Sequence, residues 1–373
     1  MISLKKKDKW LVVGLVLLIV MGFVIYSNNN SKKGDIVIGA VLGLSGAGQF
    51  TGPQTLGGME IAVEEINSHG GINGKQIKLA VEDSKGVPND GISGFNKIYD
   101  LSNPNIIVSG MTAVSNSLAP IAYEKKIPLL AIINADPNIA RNEYSFRFYP
   151  YAKQENEPVI KMIKERNLSK VGIIYQNDDF GKAIYNDLKE NFEGEIISES
   201  FATSNSEFRT QLLKIKNKNP KLIVVAGFAT QTSNILKQIK EMNINSTIIG
   251  CSILALPDTR RSAGDSAEGV YVSAPIFYEE TNIKAREFEE KFKTKYPNLV
   301  VDHYAANGYD TIYLIKQIIE KNGESREKIK KGLIEIKDSD FEGILRSIQV
   351  DGRNIIFPLK KAIIEKGEIK YLQ

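Results

Sequence analysis

A chain of 373 residues has room for about two to three domains of ordinary size, and a 42% apolar fraction supplies real cores rather than a disordered polar tract. The net charge of +4 is local, because residues 1–35 hold Lys5, Lys6, Lys7, Lys9, Lys32 and Lys33 against Asp8 and Asp35, which leaves the remainder neutral. That balance excludes the basic footprint of a nucleic-acid binder.

Four lysines precede an apolar run from Trp10 to Tyr26, and the polar stretch Ser27–Lys33 follows it. Seventeen residues at ~1.5 Å each reach roughly 25 Å, the short end of a membrane span. The lysines orient the run so that everything after Asn28 lies outside. Three readings stand: an uncleaved anchor, a cleaved signal peptide and a buried soluble helix. The helix lacks a polar face, and no small-x-small site follows the run for cleavage. The expectation is a protein anchored through residues 10–26 on the extracytoplasmic face of the cell membrane, with secretion after cleavage as the alternative. Cys251 is the only cysteine, so no disulfide forms within the chain.

From Ile36 the pattern alternates short β-rich runs with amphipathic stretches. Ile36–Val41 reads as a buried strand. After a Gly-rich turn, Leu56, Met59, Val63 and Ile66 recur at helical spacing, and Gly70-Gly71 ends that helix. Lys75–Glu82 alternates as a strand does, and a helix is expected from Asn89 to Leu101. Ile106–Val108 and Ile127–Ile132 are further strands, with a helix from about Ser117 to Glu124 between them.

A second, similar series begins near Ala152. Strand Val171–Tyr175 precedes a helix carrying Phe180, Ile184 and Leu188. Strand Ile196–Ser200 precedes one carrying Phe208, Leu212 and Ile215, and Leu222–Ala226 one carrying Ile235, Ile239 and Met242. Ile248-Ile249 closes the series. Repeated βαβ units predict parallel sheets covered by helices on both faces, here as two doubly wound α/β lobes. The last third differs. Ala285, Phe288, Phe292 and Tyr296 mark one helix and Ala305–Lys321 a longer one. Hairpin-like strands around Ile344–Val350 and Ile355–Ile364 follow, joined through Asp351-Gly352. They are too few for a third domain and are expected to complete the two lobes.

From Ile36 to its end the sequence resembles the branched-chain amino-acid (Leu/Ile/Val)-binding group of type I periplasmic solute-binding proteins. The residues that carry the likeness are Ile38-Gly39-Ala40, Leu44-Ser45-Gly46, Gly52, Gly57, Ala62, Ile66-Asn67 and Gly70-Gly71-Ile72-Asn73-Gly74-Lys75, then Glu82-Asp83. Pro128-Leu129-Leu130, Phe146-Arg147, Asp179-Phe180-Gly181, Ala267-Glu268-Gly269-Val270, Ala305-Ala306 and Tyr309-Asp310 continue it. Single pieces are weak signals; their order and spacing are specific. The resemblance implies a two-lobed clamp with three crossovers. One lobe would hold residues 35–151 plus 278–349 and the other 152–277 plus 350–373, with hinges near Tyr149–Ala152, Ala274–Phe277 and Val350. It also implies a non-enzymatic function without a cofactor: capture of a small solute for an ABC-type permease.

The resemblance also implies a ligand site between the lobes. Thr112, Ala113 and Ser115 fall where hydroxyls and a backbone N–H receive a carboxylate at a helix N-terminus, although Ser115 could equally be a plain helix cap. Asn134 and Ala135 follow the next strand, with alanine where amino-acid binders carry threonine. From the other lobe come Phe180, Phe228 where tyrosine is usual, and Ser252 where an acidic residue is usual; core packing is the alternative for both phenylalanines. An ammonium group in a closed cleft needs a carboxylate or several acceptors, and Ser252 supplies no charge. The expected cargo therefore extends from amino acids to amides and small carboxylates.

Rival chemistries are thinner. Gly46-Ala47-Gly48 before a helix, with Glu82-Asp83 ending the next strand, imitates a dinucleotide fingerprint, but Thr51 stands where the third glycine belongs. His69, in the Gly-Gly turn, is expected to be solvated, and His303 to be a surface or capping residue. No paired metal-ligand spacing and no nucleophile elbow occur. A ligand-sensing ectodomain of a membrane signalling complex is the other function compatible with this fold.

Overall fold

A computed structural model describes residues 34–372; the run at 10–26 lies outside them. Among the described residues no helix is long and apolar enough to cross a membrane.

The first part of the chain runs β1 (Ile36–Leu42), α1 (Gly52–Ser68), β2 (Ile77–Asp83), α2 (Pro88–Ser102), β3 (Ile106–Gly110), α3 (Thr112–Glu124), β4 (Leu129–Ile133) and β5 (Ser145–Phe148). The second runs α4 (Ala152–Glu165), β6 (Lys170–Gln176), α5 (Asp179–Asn191), β7 (Glu195–Phe201), α6 (Arg209–Asn217), β8 (Leu222–Ala226), α7 (Ala229–Glu241), β9 (Thr247–Gly250), α8 (Pro257–Ala263) and β10 (Tyr271–Pro275). The remainder supplies α9 (Ile283–Lys295), α10 (His303–Asn322), α11 (Arg326–Glu335) and six short strands. These are β11 (Glu342–Gly343), β12 (Arg346–Ser347), β13 (Gln349–Asp351), β14 (Asn354–Ile356), β15 (Leu359–Glu365) and β16 (Glu368–Tyr371).

Two seven-stranded sheets result, in the orders β13-β14-β5-β4-β3-β1-β2 and β16-β15-β10-β9-β8-β6-β7. Each has a parallel centre and antiparallel pairing at one edge, between β13 and β14 in the first sheet and along β10, β15 and β16 in the second. Every residue of β3, β4 and β8 is buried, as strands covered by helices on both faces must be. In the first lobe α10 crosses α1 at very close range. A Cβ at Gly58 would lie 1.9 Å from the Ala305 carbonyl oxygen, and one at Gly308 2.1 Å from that of Thr55. Only glycine permits that approach, which accounts for the glycines in the helix after the first turn.

The last crossing differs from expectation. Ile355–Ile364 is not one strand: Pro358 interrupts it, because proline offers no N–H to a ladder. β14 pairs with β5 in the first sheet and β15 with β10 in the second. The chain therefore passes between sheets at Phe357-Pro358 rather than at Val350. β13 and β14 form the hairpin through Asp351-Gly352, with Gly352 at φ +61°. α3 also begins five residues earlier than its periodicity suggests, because Met111 turns the chain at once from β3 into the helix.

Candidate functional site between the lobes

In each sheet the strand order reverses beside its first strand, as β2-β1-β3 in one lobe and β7-β6-β8 in the other. Connections leaving neighbouring strands there depart to opposite faces and open a crevice at the carboxyl ends. The two crevices face each other across one cavity of about 40 Å3. The first lobe contributes Ala47, Phe50 and Thr51 after β1, Met111 and Thr112 after β3, and Ile133 and Ala135 from the end of β4. The second contributes Phe180 after β6, Phe228 and Ala229 after β8, and Ile253 and Leu256 after β9. Tyr149, in the first crossover, and Tyr304, on α10, complete the lining. A single water needs about 10–15 Å3 of such space, so a solute larger than a few atoms enters as the lobes part.

The loop after β1 is held by Asp83. Its Oδ1 accepts from the backbone N–H groups of Leu44 (2.8 Å) and Lys85 (2.7 Å), and its Oδ2 from the Ser45 hydroxyl (2.6 Å). Burial works against the charge, but these donors hold the carboxyl below its ordinary range. Asp83 is thus committed to the loop rather than presented to a ribose, and Glu82 pairs with Lys97 at 2.7 Å.

Met111 sits at φ 72°, ψ 128°, a region that non-glycine residues rarely adopt and that costs about 1–3 kcal/mol. Its side chain gives α3 no cap, and neither does Phe228 at the start of α7. Both residues line the cavity, so each lobe aims an uncapped helix N-terminus at it. The Thr112 hydroxyl accepts from the Ala135 N–H at 3.2 Å and so ties the α3 start to the segment after β4.

Of the eight residues expected at the site, Thr112, Ala135, Phe180 and Phe228 line the cavity, and Ala113, Ser115, Asn134 and Ser252 do not. Ala113 is half-buried in the first turn of α3. Ser115 is not the cap of that helix; its buried hydroxyl accepts from Ser109 at 2.8 Å. Asn134 is fully buried, donates to Asn116 Oδ1 (3.0 Å) and accepts from the Asp136 N–H (2.7 Å). Phe180 and Phe228 stack with centroids 6.0 Å apart, and Phe228 also packs against the first-lobe cluster containing Met111 and Val114.

Ser252 belongs to a layer behind the cavity that the sequence did not reveal. Its N–H donates to Glu155 Oε2 at 2.9 Å and its hydroxyl donates to Oε1. Glu155, in the first turn of α4, is 2% exposed, and burial raises its carboxyl to about 7. Tyr149 stacks on Tyr304 at 6.2 Å, and the two hydroxyls lie 3.3 Å apart. Asp302 caps α10 through the Tyr304 and Ala305 N–H groups, and burial lifts it to about 8. His303 is neither a surface nor a capping residue: it is fully buried against the Tyr278 hydroxyl (2.9 Å), and desolvation drops its imidazole to about 3. His69 is exposed, as expected. Phe50 and Tyr304 adjoin motifs that carry the family likeness; Glu155 adjoins none.

A cavity between the strand-end crevices of two doubly wound lobes defines a clamp of the type I solute-binding class. The chain belongs to the periplasmic binding protein family, whose model matches residues 35–357. It is 24% identical over 304 residues to the leucine-, isoleucine-, valine-, threonine- and alanine-binding protein of Pseudomonas aeruginosa, covering 77% of this chain and 80% of that one. Its fold matches the branched-chain amino acid transporter substrate-binding protein of Streptococcus pneumoniae, in complex with isoleucine, at TM-score 0.80 and 24% identity, covering 90% of this chain and 97% of that one. A solute-binding protein of an ABC transporter from Rhodopseudomonas palustris, in complex with 3,4-dihydroxybenzoic acid, matches at TM-score 0.79 and 21% identity, covering 91% and 96%. The protein is a solute-binding protein, not an enzyme, and family membership places it outside the cytoplasm.

Proposed function

We propose that this protein captures a small polar solute, an amino acid or a related amide or carboxylate, between its lobes and delivers it to an ABC-type permease. The observation that carries the reading is the convergence of strand-end loops from both lobes on one cavity. Ligand contacts to both walls favour the closed form by differential affinity. Thr112, Ala135, Phe180 and Phe228 make the contacts, while Ala113, Ser115, Asn134 and Ser252 support them from behind. Residues 10–26 tether the clamp beside its permease. The isoleucine and dihydroxybenzoic acid named for the two structural relatives span the solute classes to screen. Thermal-shift screening of the full chain in mild detergent tests the reading: a genuine solute at about 100 times its Kd adds ~2.7 kcal/mol. No shift with any small solute, together with tight binding of a protein partner, would overturn it.

A further inference from the structure

Resting on the reading that residues 10–26 tether the clamp, we infer that the pole of the first lobe opposite the cleft rests on an anionic lipid surface. The cavity lies at the carboxyl ends of the strands, so the amino ends of β1 to β5 mark the far pole. The described chain begins at that pole, with Gly34 just before β1. Only Ser27–Lys33 separate it from the apolar run, and seven residues reach at most about 25 Å when extended. β1 alone, at ~3.3 Å per residue, sets the cavity roughly 23 Å beyond the pole. A tether that short keeps the pole at high local concentration beside the bilayer and turns the cleft to the medium from which solute arrives.

Several segments meet at the pole in one connected surface. Asn105, before β3, accepts from the Val37 N–H at 2.8 Å and donates to the Glu324 carbonyl, just past α10, at 2.9 Å. The Tyr99 ring near the end of α2 carries Lys125, just past α3, at 5.5 Å and Arg326, which opens α11, at 4.9 Å. The chemistry of this surface suits the lipid interface. Leu101 is 77% exposed and Tyr123 53%, in the last turns of α2 and α3, and side chains of these kinds settle at headgroup depth. Asp35, Glu124 and Glu324 each have a lysine partner, and Glu143 and Glu327 share Lys330. Lys126, Lys321, Arg326 and Lys328 enter no ion pair among the described residues. They outnumber Asp100 and the acid that Lys330 leaves unmatched, and the tether adds Lys32 and Lys33. Each cation in excess raises occupancy of an anionic leaflet about fivefold.

Hydroxyl-radical footprinting of the full chain tests the inference in three settings: detergent, phosphatidylcholine vesicles, and vesicles of equal parts phosphatidylcholine and phosphatidylglycerol. In the phosphatidylglycerol vesicles Leu101 and Tyr123 should be oxidised about fivefold or more slowly than in detergent. Val87, at the cleft end of the same lobe, and Leu213, in the other lobe, are also exposed and should keep their detergent rates. Lys126→Glu combined with Lys328→Glu should return Leu101 and Tyr123 to those rates while the protein still floats with the vesicles. A chain that does not float with vesicles of either kind sinks the tether and this inference together. A chain that floats, with Leu101 and Tyr123 oxidised as fast as in detergent, overturns the inference and leaves the tether standing. Protection of equal size in phosphatidylcholine alone, or protection that survives the double charge reversal, overturns the assignment to an anionic surface.

Discussion

The Ser252 backbone N–H and hydroxyl both donate to the carboxylate of Glu155, a residue 97 positions earlier in the chain. The contact joins the segment after β9 to the first turn of α4, directly behind the cavity wall. It has a cost, because Glu155 has no cation beside it and burial raises its carboxyl from 4.5 to about 7. Between those values the folded chain keeps a proton that the unfolded chain has lost. Stability on this account is greatest below about pH 4.5 and falls as pH rises toward about 7. Glu155→Gln removes the dependence. Chemical denaturation of parent and variant at several pH values should show the variant gaining on the parent by about 3 kcal/mol between about pH 4 and pH 8. Asp302 and His303 are common to both proteins and cancel in the difference. A constant difference across the range would mean that Glu155 is ionised and compensated in the folded state.

Asn134 braces the first-lobe wall rather than forming it. Its amide satisfies Asn116 Oδ1 and its oxygen satisfies the Asp136 N–H, with Asn134 itself fully buried and both partners half-buried. Asn134→Ala leaves these partners unpaired and should cost about 1–3 kcal/mol of stability. The measurement is the unliganded melt. A melt unchanged in this variant would show that water replaces the amide and that the brace is dispensable.

Much of the clamp was legible in the sequence, because βαβ alternation and buried β-branched runs repeat twice with similar spacing. The last crossover was not, since Ile355–Ile364 is apolar apart from Lys360-Lys361 and only Pro358 marks the break between two sheets. Half of the expected site residues reach the cavity. Thr112 and Ala135 do so because they stand at strand ends beside the point where strand order reverses. Ser115 and Asn134 lie only a few residues away, yet helical and turn geometry directs them inward. Glu155 left no signal at all: its role depends on Ser252, and nothing local distinguishes it from the other glutamates. The turn at Met111 was equally silent, because a positive φ is usually announced by glycine or asparagine.

Phe180 and Phe228 hold the second-lobe side of the cavity as a stacked pair, each only partly buried. Aromatic pairs of this kind couple by about 0.5–1.5 kcal/mol beyond their buried area. Truncating either to alanine should weaken binding of an identified solute by about tenfold or more, while the double variant loses less than the sum of the two. Titration calorimetry on the four proteins of the cycle gives the coupling directly. Strict additivity would show that the rings contact the solute independently and that their stacking contributes nothing.

Asn116 closes the lobes at the rim. Its Nδ2 donates to Asp136 at 3.0 Å in its own lobe and to Asp179 at 3.2 Å across the cleft, so one amide screens two carboxylates from each other. Asn116→Asp replaces the donor with a third negative charge at the same place. The substituted side chain can still accept from Asn134, which preserves the brace within the first lobe. Repulsion should therefore fall on the contact between lobes and favour the open clamp. Small-angle scattering at low salt should give a larger radius of gyration for the variant than for the parent, and solute affinity should drop with it. The groups are exposed enough for ions to screen them, and the Debye length shrinks to about 3 Å at 1 M salt. Adding salt should then return the variant most of the way to the parent's dimensions. If the radius of gyration is unchanged at low salt, the rim contact is incidental and closure is governed by the apolar cavity wall alone.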